Sequence, residues 1–265
     1  MKNDTAYANR EFIPDAESYP DRWADEARAW REVEAAVGRA RLNTPYGAHD
    51  RERFDLFHPA GRPEGLVVFV HGGYWRLFDR SFWSHFSAGA TARGWAVAMP
   101  SYPLAPEVGI DQITRSIAAA IDHAAGYVAG PIALAGHSAG GHLVARMACA
   151  DAGLSRETRD RLSSIVPISP VSDLRPLIET SMNVDFKLDD AKAVAESPAL
   201  QAKAVDLPVS IWVGGDERPA FLDQARWLAE AWTRSDLTIV EGRHHFDVID
   251  ALRDPDSGML NALLG

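Results

Sequence analysis

Ser138 stands in the run Gly136-His137-Ser138-Ala139-Gly140, after a short apolar stretch, Ile132 to Ala135, and before a helical pattern that begins at Gly141. Small residues on either side of a serine at a strand-to-helix turn let the chain double back and push the hydroxyl into the open. The start of the following helix offers unpaired N–H groups and the positive end of a dipole, which stabilise charge developing on an oxygen. A serine hydroxyl is too weak an acid to attack a carbonyl unaided. It needs an imidazole base, held in one tautomer by a carboxylate, and both are expected further along the chain at later strand ends. His244 and His245 follow the apolar run Leu237 to Val240 and a turn at Gly242. Adjacent side chains diverge, so only one can reach Ser138, and His245 is preferred. The carboxylate is expected after Val209 to Val213, where the chain reads Gly214-Gly215-Asp216-Glu217. The residues alone leave Asp216 and Glu217 both open.

A second candidate feature is His71-Gly72-Gly73-Tyr74-Trp75, directly after the apolar run Leu66 to Val70. Two glycines at a strand end let successive main-chain N–H groups point at one spot, as an oxyanion hole requires. Gly73 and Tyr74, with Ala139 from the serine turn, are the candidate donors, and Gly72 shapes the loop. His71 precedes the serine and opens the loop, so it is expected to organise it by hydrogen bonding rather than to act as the base. Tyr74 and Trp75 are expected to narrow the substrate pocket, with Trp75 as its binding residue, and Arg76 is a candidate for meeting a substrate carboxylate. No His-Glu-x-x-His or closely spaced ligand set occurs among the nine histidines. His137 and His142 are badly spaced for one helical face, so neither a metal nor another cofactor is implied.

These groups can meet only if the chain brings strand ends together. Short apolar runs at Leu66 to Val70, Trp95 to Met99, Ile132 to Ala135, Ile165 to Ile168, Val209 to Val213 and Leu237 to Val240 show little alternation, as in strands buried on both faces. Helical patterns near 81–93, 108–128, 139–151, 219–233 and 246–252 lie between and after them. The grammar is that of an α/β fold, a mostly parallel central sheet with helices on both faces and ligands at the carboxyl ends of the strands. Residues 21–38 read as an amphipathic helix in which Trp23, Ala27, Trp30, Val33 and Val37 share a face, so both Trp are expected in the core. No linker divides the chain. Residues 1–265 are expected to form a single domain, with 1–60 an extension on the same core and 173–206 a candidate cap over the site.

Composition narrows the partners. The net charge is −10, from 27 Lys and Arg against 37 Asp and Glu, which repels phosphate backbones and anionic lipid surfaces. The expected partner is a small-molecule substrate, with no nucleic acid and no membrane; the oligomeric state is left unassigned. A single cysteine, Cys149, precludes an internal disulfide, and the start MKNDTAYANR lacks an apolar signal stretch. The expected location is therefore cytoplasmic.

The runs HGGYW at 71–75, GHSAGGHL at 136–143, VGGDERPAF at 213–221 and HF at 245–246, with Tyr7, Asn9, Arg10, Tyr46, Gly47 and Asp55, cover nearly the whole chain. On these residues it resembles the α/β-hydrolase superfamily, and more narrowly the arylformamidase (kynurenine formamidase) branch and its relatives among hormone-sensitive-lipase-like esterases. The resemblance implies an α/β-hydrolase fold and a metal-independent serine hydrolase with a Ser138-His245-acid triad. An ungapped register of the family's Val-Gly-x-x-acid pattern puts the acid on Glu217, where the family usually has aspartate; a one-residue shift would put it on Asp216. The implied reaction is removal of a small acyl group, formyl from an aryl formamide such as N-formylkynurenine. A general carboxylesterase for small esters is the alternative, and a non-catalytic binding protein on the same fold is the alternative of another class.

Overall fold

The computed structural model describes residues 1–265. Successive residues of the central strands face opposite ways, and here both faces are apolar. Leu66, Val68 and Val70 enter one buried cluster with Ile113, Leu143 and Phe221, while Val67 and Phe69 enter a second with Trp23, Ile249 and Leu260. The sheet between these two layers has eight strands: β1 (Ala40–Pro45), β2 (Arg53–Phe57), β3 (Leu66–Val70), β4 (Ala96–Pro100), β5 (Ile132–His137), β6 (Leu162–Ile168), β7 (Val209–Gly214) and β8 (Ser235–Val240). Their order is β1-β2-β4-β3-β5-β6-β7-β8. Strands β3 to β8 run parallel, and β2 pairs antiparallel with both β1 and β4.

The helices are α1 (Asp4–Tyr7), α2 (Tyr19–Ala36), α3 (Ala88–Ala92), α4 (Ile110–Ala125), α5 (Ala139–Arg146), α6 (Arg156–Asp160), α7 (Asn183–Phe186), α8 (Asp190–Ala195), α9 (Pro219–Ala231) and α10 (Gly258–Leu264). Helices α4, α5 and α9 bury their apolar stripes in the first layer, and α2, α3 and α10 in the second. No helix is long and apolar enough to cross a membrane.

Several expectations change. The first 60 residues are more than an extension, because β1 and β2 complete one edge of the sheet. β1 is an exposed edge strand, buried only at Thr44, so it has no apolar run by which to be read. The pattern near 81–93 breaks into turns at Arg80–Phe82 and Ser84–Ser87 before the short α3, and that near 246–252 is a 3₁₀ turn, Val248–Arg253. The stripe on α2 holds at Trp23 and Ala27, but Val33 and Val37 are exposed. There the buried side chain is Glu34, which takes a two-pronged hydrogen bond from Arg39 Nε and Nη2 at 2.7 and 2.9 Å.

Candidate active site

Ser138 sits between β5 and α5 with φ 56° and ψ −116°, a left-handed backbone that costs a non-glycine residue on the order of 1–3 kcal/mol. What holds it there is close packing of α5 on the strand ends. A Cβ on Gly140 would lie 1.9 Å from the Val70 carbonyl oxygen, so only glycine lets the helix start this near β3. Main-chain bonds from Ser138 N to Ile168 O (2.8 Å) and from His142 N to Ser138 O (3.0 Å) fix the turn on both sides.

The carboxyl ends of β7 and β8 supply a carboxylate and an imidazole that meet. His245 Nδ1–H donates to Glu217 Oε2 at 2.6 Å, and both side chains are almost wholly buried. Glu217 Oε1 accepts from Gly214 N–H at 2.8 Å and from the Ser169 hydroxyl. Three donors thus converge on the two oxygens of one side chain and fix its orientation. With the Nδ1 proton committed to Glu217, Nε2 is the ring nitrogen left to accept. The ring rests between Phe221 and His137, at centroid distances of 4.5 and 4.6 Å. His137 Nε2–H donates to the His245 carbonyl at 2.8 Å, and burial, with the His245 ring beside it, holds its pKa well below the usual imidazole range. It braces the base from the side as a neutral ring.

The two open choices separate by burial. Asp216 is exposed, whereas Glu217 is buried against His245. His244 points elsewhere: its Nε2 meets the Tyr19 hydroxyl at 3.1 Å and its Nδ1 accepts from Phe246 N–H. Ser138 and His245 border the same cavity, of about 100 Å³, together with Gly73, Tyr74, His137 and Phe246. The Ser138 hydroxyl and the His245 ring share this cavity without a direct hydrogen bond between them. A wider cleft of about 720 Å³ beside Arg175, Trp227 and Glu230 has none of these groups on its walls and no nucleophile.

The glycine loop closes over the serine. A Cβ on Gly72 would sit 3.1 Å from Ser138 Cβ and 2.9 Å from the His137 carbonyl oxygen, so the loop backbone lies directly against the nucleophile turn. Gly73, Tyr74 and Trp75 then take positive φ in succession, 113°, 53° and 55°. Successive main-chain N–H groups in such a turn form a concavity suited to an anion. The N–H groups of Gly73 and Tyr74 find no acceptor within the chain. Ala139 opens α5, where an N–H has no intrahelical acceptor.

His71 organises this loop: its Nδ1–H donates to Gly72 O at 2.7 Å, its ring stacks on Tyr102, and the Tyr102 hydroxyl donates to its carbonyl. Burial pushes its pKa down to about 4, which keeps the ring neutral near pH 7.

Two expected binding residues are displaced. The left-handed turn swings the Trp75 indole beneath the loop, where it is fully buried edge-on against His142 and Phe186 and does not border the cavity. Arg76 pairs with Asp185 at 3.1 Å, also off the cavity. The aromatic wall is built instead from Trp23, Phe78, Trp83 and Phe246. Trp23, read from its helical spacing as core alone, packs on Trp83 (4.8 Å between ring centroids) and lines the cavity as well.

The cover also differs from expectation. No residue of 173–206 borders the cavity; that segment lies beside α5 and α9, with Glu196 O accepting from His142 Nε2 at 2.7 Å. Arg10, Ala16, Pro20 and Trp23 close the site from the N-terminal side. The tie is specific. The Tyr74 hydroxyl donates to Tyr7 O at 2.7 Å and accepts from Asn9 Nδ2 at 3.2 Å, which fastens the glycine loop to the N-terminal segment. Repeated polar residues near the start, Tyr7, Asn9 and Arg10, were the available signal.

A family model described as alpha/beta hydrolase fold matches residues 67–238. A kynurenine formamidase from Danio rerio is 25% identical over 273 residues, covering 92% of this chain and 92% of its own length. The crystal structure of a chain described as a candidate thioesterase, from Silicibacter sp. TM1040, is 54% identical, covers all of both chains and superimposes with a TM-score of 0.97. Esterase B from a Lactobacillus shares the fold at a TM-score of 0.67 and 20% identity, covering 88% of this chain and 87% of that one.

Proposed function

The chain belongs to the α/β-hydrolase fold family, and from that premise we propose that it is a metal-independent serine hydrolase that removes formyl from an aryl formamide such as N-formylkynurenine. One observation carries the reading: Ser138 and His245 border one small cavity, His245 is oriented by Glu217 at 2.6 Å, and Gly73 beside them has a free N–H. In the reaction, His245 Nε2 takes the Ser138 proton as Oγ attacks the formyl carbon. The oxyanion is held by the main-chain N–H groups of Gly73, Tyr74 and Ala139. His245 returns the proton to the departing aryl amine, and Glu217 stabilises the imidazolium in between. Water, deprotonated by the same ring, then releases formate from the formyl-enzyme. A cavity of about 100 Å³ is well below the ~300–1,000 Å³ common for drug-sized ligands. That size favours the smallest acyl group, with the aryl ring against the aromatic wall. The similarity to kynurenine formamidase over most of both chains supports the same choice.

A second reading, hydrolysis of small esters or thioesters, is favoured by the candidate-thioesterase description of the 54% identical structure. Turnover of N-formylkynurenine, p-nitrophenyl acetate and acetyl-CoA, each with Ser138→Ala as control, separates these. The formamide reading expects N-formylkynurenine to have the highest kcat/KM and all activity to vanish with Ser138. Brisk ester or thioester turnover beside negligible formamide turnover would replace it, and no Ser138-dependent turnover of any substrate would leave a binding protein.

A further inference from the structure

We propose that Arg10 is the specificity-determining residue of the cavity, pairing its guanidinium with a carboxylate on the leaving group of the substrate. This rests on the serine-hydrolase reading above and adds the residue that would read a carboxylate on the aryl leaving group. Arg10 is the one Lys, Arg, Asp or Glu side chain on the cavity wall. The wall is otherwise aromatic and apolar apart from the reacting groups, so the one fixed charge on it attracts a carboxylate. Trp23 and Trp83, on the same wall, carry buried indole N–H groups without an acceptor. Those N–H groups are closed off from solvent, and the wall itself holds no carboxylate.

Arg10 is also placed by the machinery it would serve. It follows Asn9, whose Nδ2 donates to the Tyr74 hydroxyl, and Tyr74 contributes its main chain to the oxyanion loop. The Arg10 main chain is thus tied to that loop through its neighbour Asn9, while its side chain reaches the cavity from solvent. Its present partner is Glu17, seven residues on, in a pair exposed on both sides, at 59% and 78%. An exposed pair of this kind is weakly held and screened by solvent, so a substrate carboxylate stacked on the aromatic wall can displace it.

The test compares N-formylkynurenine, which carries a carboxylate, with formanilide, which does not, in wild type, Arg10→Gln, Arg10→Lys and Glu17→Gln. Arg10→Gln is expected to lower the ratio of kcat/KM for the carboxylate-bearing over the carboxylate-free substrate by about tenfold to a hundredfold, through KM. Arg10→Lys should restore part of it, and Glu17→Gln should leave the ratio at or above the wild-type value. Equilibrium binding of benzoate and benzamide, read by quenching of tryptophan fluorescence, needs no turnover and should show the same loss for benzoate in Arg10→Gln. An unchanged ratio and unchanged benzoate affinity in Arg10→Gln would overturn the assignment, as would an equal loss in Glu17→Gln. Failure of the formamide pair to turn over, with benzoate binding still dependent on Arg10, would count against the formamide reading alone.

Discussion

Replacing Glu217 by Gln keeps the shape of the side chain and removes its charge, and the groups around it determine the consequence. The carboxylate accepts from His245 Nδ1–H and Gly214 N–H, at 2.6 and 2.8 Å, and from the Ser169 hydroxyl. A glutamine has one acceptor oxygen and one donor NH₂ for those three donors. If the oxygen faces His245, the NH₂ opposes Gly214 N–H and leaves a buried donor unmatched, at a cost of about 1–3 kcal/mol of stability. If the oxygen faces Gly214 and Ser169, the NH₂ demands a lone pair from His245 Nδ1. The imidazole proton then moves to Nε2, where it blocks removal of the Ser138 proton. In either arrangement the imidazolium loses its counter-charge. The expected fall in kcat is about 10³–10⁴-fold, or roughly 4–5 kcal/mol of barrier at about 1.4 kcal/mol per decade. Initial rates on p-nitrophenyl acetate, alongside thermal unfolding of each variant, measure both consequences. Asp216→Asn, on the exposed neighbour, should change the rate less than threefold. A Glu217→Gln enzyme that keeps kcat within tenfold of wild type, or an Asp216→Asn change that is the more damaging of the two, would refute this assignment of the acid.

Three further outcomes are expected. His245→Ala should lose several orders of magnitude in kcat while His244→Ala, whose ring serves Tyr19 and Phe246, loses less than tenfold; equal residual rates in a single assay would contradict the assignment. Gly140→Ala, with its new Cβ 1.9 Å from the Val70 carbonyl oxygen, should destabilise the fold by about 3 kcal/mol or more, whereas Gly61→Ala, with open space around it, should stay within about 1 kcal/mol of wild type by urea denaturation. Burial lowers the pKa of His71 to about 4 and of His142 to about 3, so between those values and about 6.5 the unfolded chain binds protons that the native state refuses. Stability is then complete above about pH 6.5 and lost as the pH falls, by on the order of 3 kcal/mol for His71 alone by pH 4; urea midpoints that do not move between pH 7 and 5 would count against it.

What could be read along the chain, and what could not, divides by the range of the forces involved. The strands β3 to β7 announce themselves because a strand covered on both faces needs consecutive apolar residues, and the serine turn because Gly136 and Gly140 lie within five positions of each other. Both are local demands. The choice between Asp216 and Glu217 is different in kind. It depends on which carboxylate faces the strand end once β7 and β8 are side by side, and adjacent residues of like chemistry carry no mark of that. Trp23 and Trp75 exchange roles for a related reason. Helical spacing places Trp23 on the inner face of α2, but not above a cavity, and that depends on where α2 docks over Phe78 and Trp83. Trp75 adjoins the oxyanion loop in sequence, yet positive φ at Tyr74 and Trp75 turns its indole into the layer beneath. Neither φ value is expected of an aromatic residue; main-chain bonds from Arg76 N–H and Leu77 N–H to Gly73 O and from Ala105 N–H to Trp75 O close the turn, and the Tyr74 hydroxyl ties it to Tyr7 and Asn9. The N-terminal segment is thus structurally part of the oxyanion loop although some 65 residues separate them. If it were removed, the left-handed turn at Tyr74 would lose its anchor at the same moment that the cavity lost Arg10 and Trp23 from its wall. Loop geometry and cavity shape would therefore fail together, which is why the first two dozen residues belong to the site and not to its surroundings.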